Sequence, residues 1–207
     1  MESIQQYIKE QKTLLEQTLR EMALIKAPTG HEKKRAEYCM EWLQAQGIEE
    51  VLSDECTNVI VPWNIQSGKN NCMLMAHLDT VFSEETELRI KEKKGKWCCP
   101  GIGDDTANAA ILLLLIKYVH EKVKKRSCGV WFVFDVGEEG LGNLAGSRKL
   151  MESYGKRLRW VTSFDLYTHH IYTSSVGSYR YRIIVKTKGG HSYLDFGNKV
   201  QLRKWQH

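Results

Sequence analysis

Apolar positions recur along the chain in two periods, and the switches between them mark out its elements. Ile4, Ile8, Leu15, Leu19 and Met22 fall at helical spacing and predict one amphipathic helix, ended by Pro28 and Gly30. A second helix is expected over about 32–46, with Ala36, Cys39, Met40 and Leu43 on one face and Gly47 as its C-terminal cap. Short strands near 50–53 and 58–63 follow, then a turn over 66–71 and a continuous apolar strand over 73–76. Segments 88–92 and 96–98 read as a hairpin about Lys94-Gly95. The stretch from 106 to about 123 is apolar almost all round through AAILLLLI, the pattern of a buried helix. VWFVFDV at 130–136 is apolar without alternation, which marks a strand buried on both faces within a parallel sheet. A helix over about 143–153 and a strand, WVTSF, at 160–164 complete the series.

This order predicts an α/β fold, with a largely parallel central sheet flanked by helices and built from crossover units. After Asp165 the texture changes, and IYTSSVGSYRYRIIVKTKGGHS reads as antiparallel strands. Two domains are therefore expected, 1–174 and the beginning of an α+β domain over 175–207.

Candidate chemistry collects where such a sheet binds ligands, outside the carboxyl ends of its strands. The strand over 73–76 runs into His77 and Asp79, VWFVFDV into Glu138-Glu139, and WVTSF into Asp165. Asp104-Asp105 precedes the apolar helix, where a helix start favours carboxylates. Singly, each has a plain reading: a loop pair, helix caps at Asp105 or Thr106, solvated acids before a glycine turn. Together, crowded carboxylates repel and call for a cation. Histidine with carboxylates is a zinc donor set, with cobalt or manganese as alternatives. So many donors suit two ions sharing a carboxylate better than one.

Composition changes this picture little. Apolar residues make up 42% and charged residues 27% of the 207, as in ordinary globular proteins. The longest apolar run, 109–116, is too short to cross a bilayer, and MESIQQYIKEQ lacks a signal-peptide pattern, so a cytoplasmic location is expected. The six cysteines show no CxxC pair; Cys39 and Cys72 read as core thiols, and Cys98-Cys99 lies beside the loop before Asp104. The net charge of +5 comes with basic clusters at 122–126, 156–159 and 180–188. With no nucleic-acid motif beside them, these read as solvated helix ends and strand faces rather than a nucleic-acid surface.

AHLDT, GIGDD, GEEG, SFDL and GGHS occur in that order between APTGHE at 27–32 and residue 192. On these motifs the chain resembles the co-catalytic zinc exopeptidases, which include carboxypeptidase G, aminoacylase, succinyl-diaminopimelate desuccinylase and peptidase T. The resemblance implies hydrolysis of peptide or N-acyl amino acid amide bonds with two zinc ions. It implies that His77 and Asp165 hold one metal, that Asp104 bridges both, and that Glu139 holds the second. It makes Asp79 the residue that orients His77, Glu138 the general base, and His191 a stabiliser of the oxyanion. His191 would belong to a lid, 175–207, through which members form homodimers, while 1–174 would be the metal-binding catalytic domain.

The chain departs from the pattern in two places. The acidic pair runs into Thr106-Ala107 where members have lysine or asparagine and then glycine. Members also return from the lid to supply a further histidine to the second metal, whereas this chain ends at His207, soon after His191. The expectation is a truncated or frameshifted member or a short isoform, with a sound first metal site, a weakened second one and little hydrolysis. His169-His170 is the nearest candidate replacement in sequence; His31, His120 and His207 read as surface or capping residues. The competing class is a non-catalytic binding protein that keeps the fold and offers the basic segment 179–188 to an acidic partner.

Overall fold

The computed structural model describes residues 4–124, 127–166, 170–177, 184 and 194. By its contacts the chain divides into two compact units, Met1–Ile171 and Tyr172–His207. The second unit contains His191, His207 and nearly all of the basic segment 179–188, which lie outside the described residues, as does His169.

Among the described residues the first unit holds a five-stranded sheet in the order β1-β2-β6-β3-β7: β1 (Leu52–Ser53), β2 (Val59–Trp63), β3 (Asn71–His77), β6 (Gly129–Asp135) and β7 (Leu158–Ser163). β6, β3 and β7 run parallel, and β2 joins β6 antiparallel, so the sheet is mixed with a parallel half. The expected hairpin is a separate ribbon of β4 (Lys91–Lys93) and β5 (Lys96–Cys98). Lys94 and Gly95 take φ of 50° and 71°, the positive pair that a tight hairpin turn requires.

Every residue of β6 is buried, and its alternation feeds two cores. Phe132 and Phe134 join Val59, Val61 and Ala76 against α2 (Lys12–Ala23), α3 (Lys33–Ala45) and α4 (Ala107–Lys122), which contribute Met22, Cys39, Leu43, Leu113 and Ile116. Trp131 and Val133 face the other way, with Met73 and Met75, toward Leu150 of α5 (Ala145–Tyr154). Helices on both faces are what a strand apolar on both sides demands.

Two helices differ from their sequence reading. The first breaks at Gln11 into α1 (Ile4–Glu10) and α2, leaving Ile4 and Ile8 exposed. Tyr7 is buried instead, edge-on to Tyr118 of α4 at 4.9 Å, because it lies about three turns before buried Thr18 and on the same face. α4 is less enveloped than its composition suggests: Ile111 is half exposed, because only one side of the helix meets the sheet. Among the described residues no helix is long and apolar enough to cross a membrane.

The register places the site. His77 pairs with Asp135 and Met75 with Ser163, so β3, β6 and β7 end near one rim. Buried Asn58 shapes the loop that leaves β6: its amide donates to Gly146 O at 3.2 Å and its carbonyl accepts from Val136 N–H at 3.1 Å. Gly146 sits so tightly here that a Cβ would overlap the Asn58 side chain and lie 2.6 Å from Val136 O. Gly146→Ala should therefore lower unfolding free energy by about 1–3 kcal/mol, the usual range for overpacking, read from urea denaturation.

Candidate metal centre

His77 ends β3 with its side chain 2% exposed and its ring held on both sides. Nε2 lies 3.1 Å from Asp104 Oδ1, while Nδ1 lies 3.0 Å from the backbone oxygen of Asp79 and 3.4 Å from its Oδ1. The ring's second nitrogen is thus nearer the Asp79 carbonyl than its carboxylate. Burial opposes charge on the ring, but the carboxylates of Asp79, Asp105 and Glu138 outweigh it and lift His77 to about 10.

The acidic pair sits in a wide turn, Ile102–Thr106, and its two carboxylates serve different ends. Asp104 is nearly half exposed and faces the His77 ring. Asp105 is buried, accepts the His77 backbone N–H at 3.1 Å and an Asn108 N–H at 2.5 Å, and joins the start of α4 to the end of β3. Burial pushes its carboxyl up to about 7, against the pull of Asn108 and His77. Neither Asp105 nor Thr106 caps α4 through its side chain, because each is already committed: the Thr106 hydroxyl donates to Gly101 O at 2.7 Å.

Asp79 is fully buried and organises the opposite wall. Its carboxylate accepts the backbone N–H of Glu138 at 3.0 Å and of Glu139 at 2.9 Å, and the Thr29 hydroxyl at 2.9 Å. Burial alone would raise its pKa, but these bonds and His77 hold it below the usual carboxylate value. Glu32 does similar work, accepting Gly30 N–H at 2.8 Å and Gly137 N–H at 3.1 Å. Gly137 adopts φ of 68° just before Glu138, a left-handed turn that glycine makes at no steric cost.

The result is a convergence of donors: ligand atoms of His77, Asp104 and Glu139 lie within 4.8 Å of one another. Glu138 stands beside them on the same loop. Asp165, after β7, lies outside that trio, but its charge acts on Asp105 and Glu138. Burial and mutual repulsion raise the pKa values of Glu138, Glu139 and Asp165. One ring nitrogen and several carboxylates that raise one another's pKa fit a divalent cation. His120 is turned back to its own helix, Nδ1 lying 2.9 Å from Ile116 O. Cys98 is exposed, and the Cys99 thiol donates to Ala23 O at 3.5 Å.

Sequence reasoning did not single out Thr29, Glu32 or Arg35. Arg35 is 1% exposed and donates to Leu78 O at 2.8 Å, Thr106 Oγ1 at 3.1 Å and Ile25 O at 2.9 Å, tying α3 to both walls of the site. Burial lowers its pKa to about 10. Its signal was available: a charged residue four positions before Cys39 falls on the buried stripe of the helix.

Comparison with solved structures places this arrangement in a known fold. Aminopeptidase PepT from Bacillus cereus is similar with a TM-score of 0.59 and 21% identity, over 73% of this chain and 42% of PepT. Bacillus subtilis YXEP protein, a dinuclear metal-binding peptidase, is similar with a TM-score of 0.58 and 17% identity, over 76% of this chain and 44% of that one. Human carnosine dipeptidase 1 is similar with a TM-score of 0.63 and 15% identity, over 77% of this chain and 40% of that one. The chain thus spans about two fifths of the length of these structures, and likeness at such identities speaks for the fold. A comparison with curated proteins found no match. The sequence model of peptidase family M20/M25/M40 matches residues 73–187. That match takes in more than half of the chain and every strand end of the rim, and the protein belongs to peptidase family M20/M25/M40.

Proposed function

We propose that the protein is the metal-binding catalytic part of a zinc-dependent hydrolase acting on small peptides or N-acyl amino acids. The observation that carries this reading is the convergence of His77, Asp104 and Glu139 within 4.8 Å, with Glu138 next to them. In this reading His77, Asp104 and Asp165 would hold one ion, and Asp104 with Glu139 would hold a second. Zinc, or cobalt or manganese in its place, would lower the pKa of the attacking water and polarise the scissile carbonyl. Glu138 would take the proton from the attacking water and pass it to the departing amine. Its raised pKa suits a group that must both accept and return a proton. Asp79 keeps Glu138 and Glu139 in place through their backbone N–H groups. The unit 1–174 is the catalytic domain in this reading; 175–207 begins a lid that brings His191 to the oxyanion and pairs with a second lid.

Calorimetric titration of zinc into chelator-stripped protein, beside Asp104→Ala, tests the proposal. Two ions are expected, with both weakened in the variant. Because His77 carries a proton up to about 10 without metal, binding near pH 7 should release about one proton from it, and affinity should rise with pH. Titration in buffers of different ionisation enthalpy measures that release. Absence of binding, or binding indifferent to Asp104→Ala, would reject the assignment.

A further inference from the structure

We propose that Asp135 is a positioning residue of the metal centre, whose buried charge tightens the hold on a divalent cation at His77 and lowers folding stability in doing so. This role rests on the metal reading given above and adds a residue to it. Asp135 ends β6 and is 1% exposed. Its Oδ2 accepts the Ser147 hydroxyl of α5 at 2.7 Å. Its Oδ1 is buried and has no hydrogen-bond partner among the described residues. A carboxylate in that state destabilises the fold, because burial strips water from a charge and leaves one oxygen without a replacement. The cationic group that acts on it is the His77 ring.

The sheet sets this charge beside the metal centre. Asp135 stands level with His77 in the parallel register of β6 and β3, and neighbouring strands lie about 4.8 Å apart. Level residues in such a pair send their side chains to the same face. The preceding pair but one shows it: Met75 and Val133 are level, and both join the core around Leu150 of α5. His77 and Asp135 therefore share a face at the rim. Without metal, the His77 ring offers Asp135 at most a single positive charge; a divalent cation there offers two. Asp135 thus favours the metal-bound state over the metal-free one, and only such a difference can change affinity. An asparagine would fill the same space and keep an oxygen for Ser147, so neither volume nor that hydrogen bond accounts for an acid here.

The test compares the parent, Asp135→Asn and Ser147→Ala as full chains at pH 8, where the Asp135 carboxyl, pushed up to about 6 by burial, is ionised. Zinc is titrated calorimetrically into chelator-stripped protein, and urea denaturation of the same metal-free samples gives their stability. Asp135→Asn is expected to bind zinc about 10-fold more weakly, the lower end of the effect of residues that tune a metal through its ligands. It should also unfold at higher urea than the parent. Those opposite signs separate this role from a merely structural one, in which losing Asp135 would lower both. Ser147→Ala keeps the charge and removes a hydrogen bond, so it should unfold at lower urea and bind zinc like the parent. Parent-like zinc affinity in Asp135→Asn would overturn the proposal and leave the metal reading standing. So would a loss of stability in Asp135→Asn, or an equal loss of affinity in Ser147→Ala. A parent that binds no zinc would overturn the metal reading and this role with it.

Discussion

Glu138→Gln is expected to lower release of amine from a peptide or N-acyl amino acid by about 10²–10⁴-fold, the usual contribution of a general base, while zinc binds as in the parent. The two halves of that result separate proton transfer from metal binding. Glu138 is outside the trio whose ligand atoms lie within 4.8 Å, so an amide there keeps the charge-bearing donors and removes a base. The assay follows amine release with zinc and with chelator. Equal rates in parent and variant would remove Glu138 from the reaction; loss of zinc binding in the variant would make it a ligand instead.

Asp79→Ala should cost about 3–5 kcal/mol of folding stability, the range for removing one partner of a buried charged pair. The carboxylate is fully buried and receives two backbone N–H groups and a hydroxyl, all of which the substitution strands. The pH dependence identifies the cause. Asp79 has a folded pKa below its unfolded value, so its contribution is complete above the unfolded pKa of about 3.9 and disappears as pH falls through the folded one. Parent and variant should differ most at neutral pH and converge in acid. Urea denaturation of chelator-stripped protein over that range measures the gap. A gap that persists unchanged in acid would show packing rather than charge to be the cause. The same variant should also loosen zinc binding, because the Glu138-Glu139 backbone loses its anchors.

How much of this was legible beforehand depends on the range over which each feature is determined. Strand β6 was plain because seven consecutive buried residues leave a two-sided strand as the natural reading. His77, Glu138, Glu139 and Asp165 stood out because each follows an apolar strand, and strand ends are where α/β sheets bind; Asp104 stood out because it precedes the apolar helix. Tyr7 was missed because the stripe was read through Ile4 and Ile8, whereas the buried face runs through Tyr7, Thr18 and Met22. Glu32 was missed because its partner Gly137 lies 105 residues away, beyond any local pattern.

The sequence alone therefore determined the succession of helices and strands, the α/β class and the acids at the strand ends, since hydrophobic period and turn chemistry act over a few residues. Tertiary structure decided which of those acids meet. The register of His77 with Asp135, the antiparallel entry of β2, and the anchoring of Glu138-Glu139 by Asp79 arise from pairings between distant segments. The same long-range order split the acidic pair, turning Asp104 to the His77 ring and Asp105 to its backbone. It also set β7 beside β3 in the sheet, because strand order is decided by packing across the whole unit and by no property of β7 itself.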